Sequence, residues 1–251
     1  MSLTMIDLHT HILPDWDDGA RSEAEARHMV EIAFQDGIKT IGLTPHIFRL
    51  TKHSDNFGLL ESRFEAWAKA PLACPMNFVR GAEVYVRHDL ALLLEASPSL
   101  RVNGGSYFFL ELPGEYPVAG LKDLLFEVML GGFTPILSHP ERCLVFRERP
   151  GLLYDLVTMG ALVQVTSMSL EGEFGSAVQK AALEFLKLDL VHIIASDAHD
   201  GRWRVPRLSG GVERAAQVVG WEKAEAMVTV VPEAIINDQG LPDLWAPRPP
   251  R

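Results

Sequence analysis

Residues 5–11 of the chain read MIDLHTH, a short apolar run that ends in two histidines. The apolar run, Leu3–Leu8, has the length and composition of a buried strand. His9 and His11 stand two positions apart, and residues i and i+2 of an extended chain point to the same side. We therefore predict a strand whose carboxyl end directs two imidazole side chains into one cavity.

The same unit, an apolar run followed by a helical stretch, recurs along the chain. Six further runs are predicted as strands: Thr40–Leu43, Phe78–Val84, Tyr107–Leu110, Phe133–Leu137, Ala161–Val165 and Val191–Ala195. Helices are predicted between the runs and after the last one: Ser22–Asp36, Asn56–Lys69, His88–Ala96, Val118–Leu130, Leu152–Met159, Ser176–Leu188 and Gly211–Asn237. This alternation predicts an α/β fold with parallel strands and right-handed crossovers. An open doubly wound sheet and a closed or nearly closed barrel both fit the pattern.

Charge and composition exclude several classes of protein. The 251 residues carry 23 Lys and Arg against 33 Asp and Glu, which gives a net charge of −10. Binding of nucleic acid is not expected, because it depends on neutralising phosphates with basic side chains. Membrane insertion is not expected either, because no apolar run approaches the roughly 18 residues that a span requires. The two common nucleotide-binding motifs, GxGxxG and GxxxxGK[ST], are absent from the sequence.

The length suits a single domain over residues 1–251, because one α/β barrel commonly takes about 250 residues. Residues 1–4 are interpreted as a vector-derived leader, and the Pro-rich residues 246–251 are predicted to be a flexible tail. The two cysteines, Cys74 and Cys143, are too few for a disulfide framework. Their scarcity indicates a reduced, cytoplasmic setting.

Side chains that can bind metals follow six of the seven predicted strands. They are His9, His11, Asp15, Asp17 and Asp18 after the first strand, His46 after the second, Glu83 after the third, Glu111 after the fourth, His139 after the fifth, and Asp197 and His199 after the seventh. Only Thr166 and Ser167 stand after the sixth. Active sites of α/β barrels lie at the carboxyl ends of the strands. Imidazole with carboxylate is a ligand set for zinc, manganese, iron or nickel, so we predict a polynuclear metal site.

Each of these signals is weak alone. A single His-x-His is often incidental, and a single glutamate such as Glu83 or Glu111 can be solvated or salt-bridged. An unpaired carboxylate flanked by apolar residues is expensive to bury, however, and the ligand types recur at one strand end after another. Asp7 and His192 are interpreted as partners that orient the ligands.

At these residues the sequence resembles the PHP (polymerase and histidinol phosphatase) family. Within it, the chain is most similar to the bacterial manganese-dependent protein-tyrosine phosphatases of capsule and exopolysaccharide operons. The matching segments, in order, are MIDLHTHILPDWDDG, TIGLTPH, GAEVY, FLELP, TPILSHPER and DLVHIIASDAH. The resemblance runs from Met5 to about Pro206 and implies a distorted (β/α)7 TIM-like barrel that holds three divalent metal ions.

The resemblance also implies a ligand set. One ion would be held by His9, His11, Glu83 and Asp197; Glu83 would bridge to a second ion, shared with Glu111 and His139; and Asp18, His46 and His199 would hold the third. Asp17 is the alternative to Asp18, because the aspartates of this segment lie so close together. Manganese is the metal that the resemblance implies, and iron or zinc would suit the same ligands.

Two arginines are expected beside the metals. Arg142 matches the family pattern directly. The second arginine is Arg204 by its distance from the Asp-x-His motif and Arg202 by the glycine that precedes it, and Arg207 stands in the same loop. The resemblance implies hydrolysis of phosphotyrosine on a protein, with a metal-bridging hydroxide attacking phosphorus. His199 or a metal-bound water would assist the leaving phenolate.

The substrate implied by the resemblance is a tyrosine-autophosphorylated bacterial kinase of polysaccharide export, and the role implied is regulation of polysaccharide synthesis. The oligomeric state is left open. Three other functions are weighed: hydrolysis of a small phosphomonoester such as histidinol phosphate, an amidohydrolase-like activity on bonds other than phosphate esters, and a metal-stabilised binding module without turnover.

A different phosphatase chemistry also has a match in the chain. Cys143 and Arg149 have the Cys-x5-Arg spacing of the cysteine-dependent tyrosine phosphatases. That chemistry requires a low-pKa thiolate and a loop of small residues that cradles phosphate. The residues between them include no glycine, which disfavours this alternative.

Overall fold

The computed structural model describes residues 3–51, 53, 56–114, 119–242 and 245–250. All strand pairs in these ranges are parallel. The strands are β1 (Met5–Thr10), β2 (Ile38–Leu43), β3 (His46–Ile47), β4 (Asn77–Arg80), β5 (Glu83–Tyr85), β6 (Tyr107–Glu111), β7 (Thr134–Ser138), β8 (Leu162–Thr166) and β9 (Ile193–Ala195). Each of the seven predicted runs is present. The run Phe78–Val84 is interrupted, so that β5 continues β4 after Gly81. Beyond the predicted end of the second run, β3 continues β2 after Pro45, which has no N–H to donate.

The strands lie in two parallel sheets, which are connected where β3 continues β2 and where β5 continues β4. β1, β2 and β4 make one sheet, and β3, β5, β6, β7, β8 and β9 make the other. Backbone hydrogen bonds then join the first strand to the segment after the last. The Asp197 N–H donates to the His9 carbonyl over 2.9 Å, and the His11 N–H donates to the Ala198 carbonyl over 2.9 Å. The predicted distorted (β/α)7 barrel is confirmed.

The helices lie between the strands in chain order. They are α1 (Glu23–Gln35), α2 (Phe57–Ala68), α3 (Leu90–Ala96), α4 (Leu121–Leu130), α5 (Leu144–Glu148), α6 (Pro150–Thr158), α7 (Ser167–Glu171), α8 (Ser176–Lys187), α9 (Ser209–Val219), α10 (Trp221–Ala226) and α11 (Val230–Ile236). Ser22 caps α1 by accepting the Glu25 N–H over 3.2 Å, and Asn56 caps α2 in the same way. The predicted start of the fourth helix, Val118, lies outside the described residues.

The sequence did not predict α5 and α7. Each has five residues, which is too short for a helical period to stand out from the apolar residues around it. The region predicted as helix from Gly211 to Asn237 divides into three shorter helices, because Gly220 with a φ of 88° ends the first of them.

On the inner face of the barrel, the inward-facing side chains of a strand change from apolar to polar toward its carboxyl end. Phe109 packs in the inner apolar cluster, and Glu111, two residues later, shares its side of β6. Leu162 begins the same inner row on β8, which continues with Gln164 and Thr166. The period of two therefore turns an apolar interior into a polar site at the carboxyl ends of the strands.

The described part of the carboxyl-terminal tail lies against the barrel. The Trp245 Nε1–H donates to the Val191 carbonyl over 3.3 Å, and the Arg248 N–H donates to the Leu188 carbonyl over 2.8 Å. The Arg248 guanidinium also lies 2.6 Å from Asp189. Across the described ranges, no helix has the combination of length and hydropathy that crossing a bilayer would require.

Candidate metal centre

Two imidazoles at the end of β1 are held in matching orientations. His9 Nδ1 lies 3.0 Å from Gln164 Oε1, and His11 Nδ1 lies 2.7 Å from Asp17 Oδ2. Because the partner in each pair is a hydrogen-bond acceptor, Nδ1 is the donor, and Nε2 faces the cluster. The two Nε2 atoms are 3.3 Å apart. Both rings therefore present a metal-binding nitrogen to the same point.

The two neighbouring aspartates have different surroundings. Asp17 is buried, and besides His11 its oxygens accept the His46 N–H over 2.9 Å and the Gly19 N–H over 3.0 Å. The loop passes so close to β1 that a Cβ at Gly19 would collide with the His11 carbonyl. Asp18 instead points at imidazoles, with Oδ1 3.5 Å from His46 Nε2. This geometry uses Asp17 to orient a ligand and leaves Asp18 as the ligand-type group.

Glu83 lies at the centre of the cluster and is fully buried. Its Oε2 is 3.0 Å from His46 Nδ1 and 3.4 Å from His9 Nε2, and its Oε1 is 3.0 Å from His139 Nε2. Burial alone would raise the pKa of Glu83, but the charges of His9 and His46 hold this pKa well below its ordinary value. A carboxylate that is ionised in the interior requires cations around it.

Glu111 stands beside Glu83 at the end of β6. Its Oε2 lies 3.5 Å from His46 Nδ1. Burial and then the charge of Glu83 raise the pKa of Glu111. Two carboxylates in one buried site repel each other, and a shared cation removes that cost.

Two of the site residues adopt left-handed backbone conformations. His139 has a φ of 35° and Asp197 a φ of 50°, which non-glycine residues rarely adopt. Asp197 Oδ1 thereby reaches to 3.3 Å from His11 Nε2. Backbone strain of this kind persists where the surrounding structure fixes it, and it gathers at functional sites.

His199 completes the cluster on the side of Asp18. Its Nδ1–H donates to the Asp197 carbonyl over 2.9 Å, and its Nε2 lies 3.4 Å from Asp18 Oδ1. Burial, and next the charge of His11, lower the pKa of His199 to about 4. The ring is therefore neutral at pH 7, with a free lone pair on Nε2.

The residues present fit divalent metal ions. Three overlapping sets of side chains have ligand atoms within 4.8 Å of one another: His11, Asp18, His46 and His199; His9, His11 and Glu83; and His46, Glu83 and Glu111. Donors that share an ion at about 2.1 Å stand roughly 3 Å apart, which is the spacing found here. The 3.0 Å contacts of Glu83 with His46 and His139 lack hydrogen-bond geometry, so both oxygens of Glu83 and the Nδ1 of His46 are buried without a hydrogen bond. Such atoms are costly unless something else binds them.

Two of the predicted arginines meet on one carboxylate oxygen. Arg142 Nη1 is 2.6 Å and Arg204 Nη2 is 2.5 Å from Asp197 Oδ2. Arg202 and Arg207, the other arginines of the loop, are exposed. Of the three alternatives for the second arginine, the structure brings Arg204 to the cluster.

Sequence reasoning assigned no role to two residues that hold these arginines. The ring of Phe174 lies 4.2 Å from the Arg142 guanidinium carbon and 5.9 Å from that of Arg204. Thr166 Oγ1 accepts from Arg142 Nη2 over 2.8 Å. Phe174 stands between two glycines, Gly172 and Gly175, and this isolated aromatic residue in a loop was the available signal. Cation–π contact and hydrogen bond together fix the guanidinium planes.

A third arginine near the cluster was also missed. Arg49 Nη1 donates to Glu111 Oε1 over 2.6 Å, and its guanidinium carbon lies 5.2 Å from the ring of Tyr85. Arg49 comes three residues after His46, as Arg142 comes three residues after His139. That repeated spacing was the signal.

The two residues interpreted as orienting partners have different roles. Asp7 Oδ1 accepts the Ser196 N–H over 3.0 Å and the His9 N–H over 3.4 Å, so it fixes the backbone of two strand ends. Burial raises the pKa of Asp7 to about 6. His192 Nδ1 accepts the Val163 N–H over 3.2 Å, which ties β8 to the start of β9 and orients no ligand.

Cys143 lacks the surroundings of a nucleophile. Its thiol is buried and lies 3.9 Å from the Leu112 carbonyl. Burial, and next the charge of Glu141, raise the pKa of Cys143 to about 12. Arg149, at the other end of the Cys-x5-Arg match, is exposed. A cysteine-dependent mechanism is excluded, because the thiolate form is the nucleophile.

Known proteins are similar to this chain in sequence. The family profile described as "Capsular polysaccharide synthesis, CpsB/CapC" matches residues 5–237. The chain is 33% identical over 201 residues to the tyrosine-protein phosphatase YwqE of Bacillus subtilis, an alignment that covers 80% of this chain and 79% of that one. It is 28% identical to the tyrosine-protein phosphatase CpsB of Streptococcus pneumoniae, over 94% of this chain and 99% of that one.

Solved structures show the same pattern. A chain from the crystal structures of Bacillus subtilis YwqE and Streptococcus pneumoniae CpsB, described as unique metal-dependent tyrosine phosphatases, superposes with a TM-score of 0.87 at 29% identity. The match covers 98% of this chain and 100% of that one. A D-hydantoinase superposes with a TM-score of 0.54 at 12% identity, over 96% of this chain and 73% of that one. The second match shows a likeness of fold alone.

Proposed function

This chain belongs to the CpsB/CapC family of capsular polysaccharide synthesis, and we propose that it is a metal-dependent protein-tyrosine phosphatase that acts in that process. One observation carries the proposal most directly. Two guanidiniums, from Arg142 and Arg204, converge on Asp197 at the edge of a buried histidine and carboxylate cluster. Cationic donors beside metal ligands form a receptor for a phosphoryl group.

The proposed ligands are those that the family resemblance implies. They are His9, His11, Asp18, His46, Glu83, Glu111, His139, Asp197 and His199. Three divalent ions are proposed, with manganese as the expected metal. The proposal is supported by the buried atoms of Glu83 and His46 that have no hydrogen bond, and by the Nδ1 contacts of His9 and His11, which direct Nε2 into the cluster.

The arginines and the residues that contact them have distinct roles in the proposed reaction. Divalent ions, when bound, acidify water to hydroxide near neutral pH and polarise the phosphoryl oxygens. Arg142 and Arg204 hold the phosphoryl oxygens through charge-assisted hydrogen bonds and offset the charge that develops on them. Phe174 and Thr166 keep the guanidiniums in place before the substrate arrives. Positioning of this kind reduces the cost of reorganisation during the reaction.

The leaving group places few demands on the protein. A tyrosine phenolate has a pKa of about 10, so it departs more easily than an alkoxide. His199 bonds through Nδ1 to the Asp197 carbonyl and has no proton on Nε2 to donate at pH 7. We therefore assign His199 to metal ligation and leave protonation of the phenolate to water.

The proposed substrate is a phosphotyrosine protein, namely a bacterial tyrosine kinase of polysaccharide export. A cytoplasmic location is proposed, in keeping with such a substrate and with the two free cysteines. The whole of residues 1–251 is proposed to act as one phosphoesterase domain. Small phosphomonoesters are treated as competing substrates in the test that follows.

The test measures bound metal and hydrolysis on one protein preparation. We expect Mn²⁺-dependent hydrolysis of a phosphotyrosine peptide, abolished by chelator, with much slower hydrolysis of a phosphoserine peptide and of histidinol phosphate. The Cys143→Ala variant is the matched control and should keep its activity, whereas Glu83→Gln should lose it. Activity on histidinol phosphate alone would contradict the proposed substrate. A metal-loaded protein without phosphatase activity would contradict the proposed function.

A further inference from the structure

A basic cavity of about 800 Å³ opens beside the metal centre. We call it the Arg147 cavity, and its lining residues are Arg49, Tyr85, Pro113, Gly114, Arg142, Leu144 and Arg147. It is built by the end of β5 and by the segments that follow β3, β6 and β7. Its floor is fixed by a hydrogen bond from the Leu144 N–H to the Gly114 carbonyl over 2.7 Å.

The Arg147 cavity shares two walls with the metal centre. Arg142 lines the cavity and lies 2.6 Å from Asp197. Arg49 lines it from the other side and lies 2.6 Å from Glu111. The guanidiniums of Arg142 and Arg49 therefore lie between the cavity and the ligand cluster. A peptide whose phosphotyrosine reached the cluster would place its neighbouring residues in the cavity. Consecutive residues of an extended peptide advance by only about 3.3 Å.

The charge of the Arg147 cavity is unbalanced. Three of its described lining residues are arginines, and none carries a carboxylate. Arg49 contacts Glu111 and Arg142 contacts Asp197, but a guanidinium has five N–H donors, so each arginine has donors left for a ligand in the cavity. The Arg147 backbone N–H donates to the Cys143 carbonyl over 3.2 Å, but its guanidinium has no hydrogen bond or ion pair with a described residue, and its Nε is buried without a partner. A buried polar group without a partner is costly, which points to an anion that Arg147 receives from outside.

Other surface cavities differ in this respect. The cavity next to Trp203 places its arginines among the carboxylates of Glu25 and Asp200. In the cavity lined by Arg87, the guanidinium is paired with Asp89. In a chain with a net charge of −10, a cavity whose described lining has three arginines and no carboxylate is a local feature of this edge of the site.

We propose that the Arg147 cavity binds a carboxylate side chain next to the phosphotyrosine, so that the enzyme prefers phosphotyrosine in an acidic sequence context. The inference rests on the proposed function and deepens it. A guanidinium fork fits a carboxylate through two parallel hydrogen bonds. Tyr85, Pro113 and Leu144 supply apolar walls for the aliphatic part of a glutamate.

The test uses the Mn²⁺-loaded enzyme and two phosphotyrosine peptides that differ only at the residues flanking phosphotyrosine, Glu in one and Gln in the other. We expect kcat/KM to be about 10-fold higher for the Glu peptide, since charge-assisted pairs are the stronger hydrogen bonds. 4-Nitrophenyl phosphate, which has no flanking residues, measures the chemistry alone. Raising the salt concentration should reduce the preference.

The decisive variant is Arg147→Gln, because Arg147 takes no part in the proposed chemistry. It should remove most of the preference for the Glu peptide and leave the Gln peptide and 4-nitrophenyl phosphate unchanged. Arg149→Gln is the matched control, since Arg149 is exposed two residues away and does not line the cavity. It should keep the preference. Arg147→Lys should retain part of it, because lysine keeps the charge and loses the fork.

A binding measurement separates this inference from the proposed function. The same peptide pair, with non-hydrolysable phosphonate in place of phosphate, is titrated into the metal-loaded protein. Tighter binding of the Glu peptide that depends on Arg147 would support the cavity even if neither phosphopeptide were hydrolysed. Equal affinities of the wild-type protein for the two peptides, or an equal loss on both in Arg147→Gln, would overturn the inference.

Discussion

Gln164 and Asp17 each orient a histidine side chain in the cluster. Each accepts the Nδ1–H of an imidazole, of His9 over 3.0 Å and of His11 over 2.7 Å, and thereby leaves Nε2 available to a metal. Gln164 Oε1 also lies 3.3 Å from the backbone nitrogen of His139. One neutral side chain on β8 thus orients two ligand-bearing segments, although β8 itself contributes no ligand-type residue.

Replacing Gln164 should weaken the metal site without removing a ligand. We expect Gln164→Leu to lower metal affinity about 10–100-fold, the usual effect of losing a partner that orients a ligand. Metal content after dialysis against a graded chelator series would measure it. Gln164→Glu keeps an acceptor oxygen at the same place and should stay near the wild-type affinity. Equal metal retention by all three proteins would contradict this role.

The arginines of the loop after β9 can be ranked by their contacts. Of Arg202, Arg204 and Arg207, Arg204 is the one that contacts Asp197, so we expect Arg204→Gln to reduce kcat/KM for a phosphotyrosine peptide by about 100-fold or more. Arg202→Gln and Arg207→Gln serve as controls, because both side chains are exposed, and each should change kcat/KM by less than about 3-fold. A larger loss in Arg202→Gln than in Arg204→Gln would reverse the assignment. Steady-state kinetics at a fixed Mn²⁺ concentration decides it.

Several elements meet at the site through short irregular segments. His139 follows β7 and Asp197 follows β9, both with positive φ, so the chain turns sharply at each of these ligand-type residues. α7 begins directly after β8 and leads to Phe174, which supports Arg142 and Arg204. The candidate ligands and arginines therefore lie at the carboxyl ends of the strands and in the loops that follow them, supported by the rest of the barrel.

The junction of β8 and β9 contains a histidine that should make stability depend on pH. Burial lowers the pKa of His192 from 6.5 to about 4. Below pH 6.5 His192 is protonated in the unfolded chain, but in the folded protein it is not protonated until about pH 4. The folded state therefore loses stability as the pH falls from 6.5 to 4. The loss attributable to His192 is at most about 3 kcal/mol.

The His192→Asn variant tests this prediction. The asparagine oxygen can accept the Val163 N–H in place of Nδ1, but it does not titrate. We expect the difference in unfolding free energy, wild type minus variant, to fall between pH 7 and pH 4. Urea unfolding of both metal-loaded proteins at several pH values would measure it. Parallel curves would show that His192 makes no such contribution.

The whole barrel converges on one charged cluster. The ligand-type side chains come from β1, β3, β5 and β6 and from the segments after β1, β7 and β9, so a shared ion ties together strands that are far apart in sequence. Ligands that bind only the folded state stabilise it by about 4 kcal/mol at 1,000 times their dissociation constant.

Removal of metal should therefore lower the stability of the entire fold. For a protein of this size we expect chelation to lower Tm by roughly 10 °C relative to the Mn²⁺-loaded protein. Calorimetry with and without chelator would measure the shift. Glu83→Gln, which removes the charge of the central carboxylate, should show a much smaller chelator effect than the wild type. An equal chelator effect in both proteins would contradict a stabilising role for metal at Glu83.

The succession of strands along the chain, and the approach of most candidate ligands to one another, could be predicted from the sequence, whereas the pattern fitted an open sheet and a barrel equally. Apolar runs mark the strands, and the parallel arrangement brings their carboxyl ends to one side. His9, His11, Glu83, Glu111 and other ligand types placed just after those runs must then approach one another. The period of two within a strand is local, so it can be recognised without knowing the rest of the fold.

Other features depended on contacts between distant segments. The separate roles of Asp17 and Asp18 follow from the path of the loop beneath β1, which also determines what surrounds Gly19. Arg204 is distinguished from its neighbours only by its approach to Asp197, and Phe174 only by its approach to two arginines. No local period encodes such contacts, because they depend on how loops of irregular backbone pack once the barrel has formed.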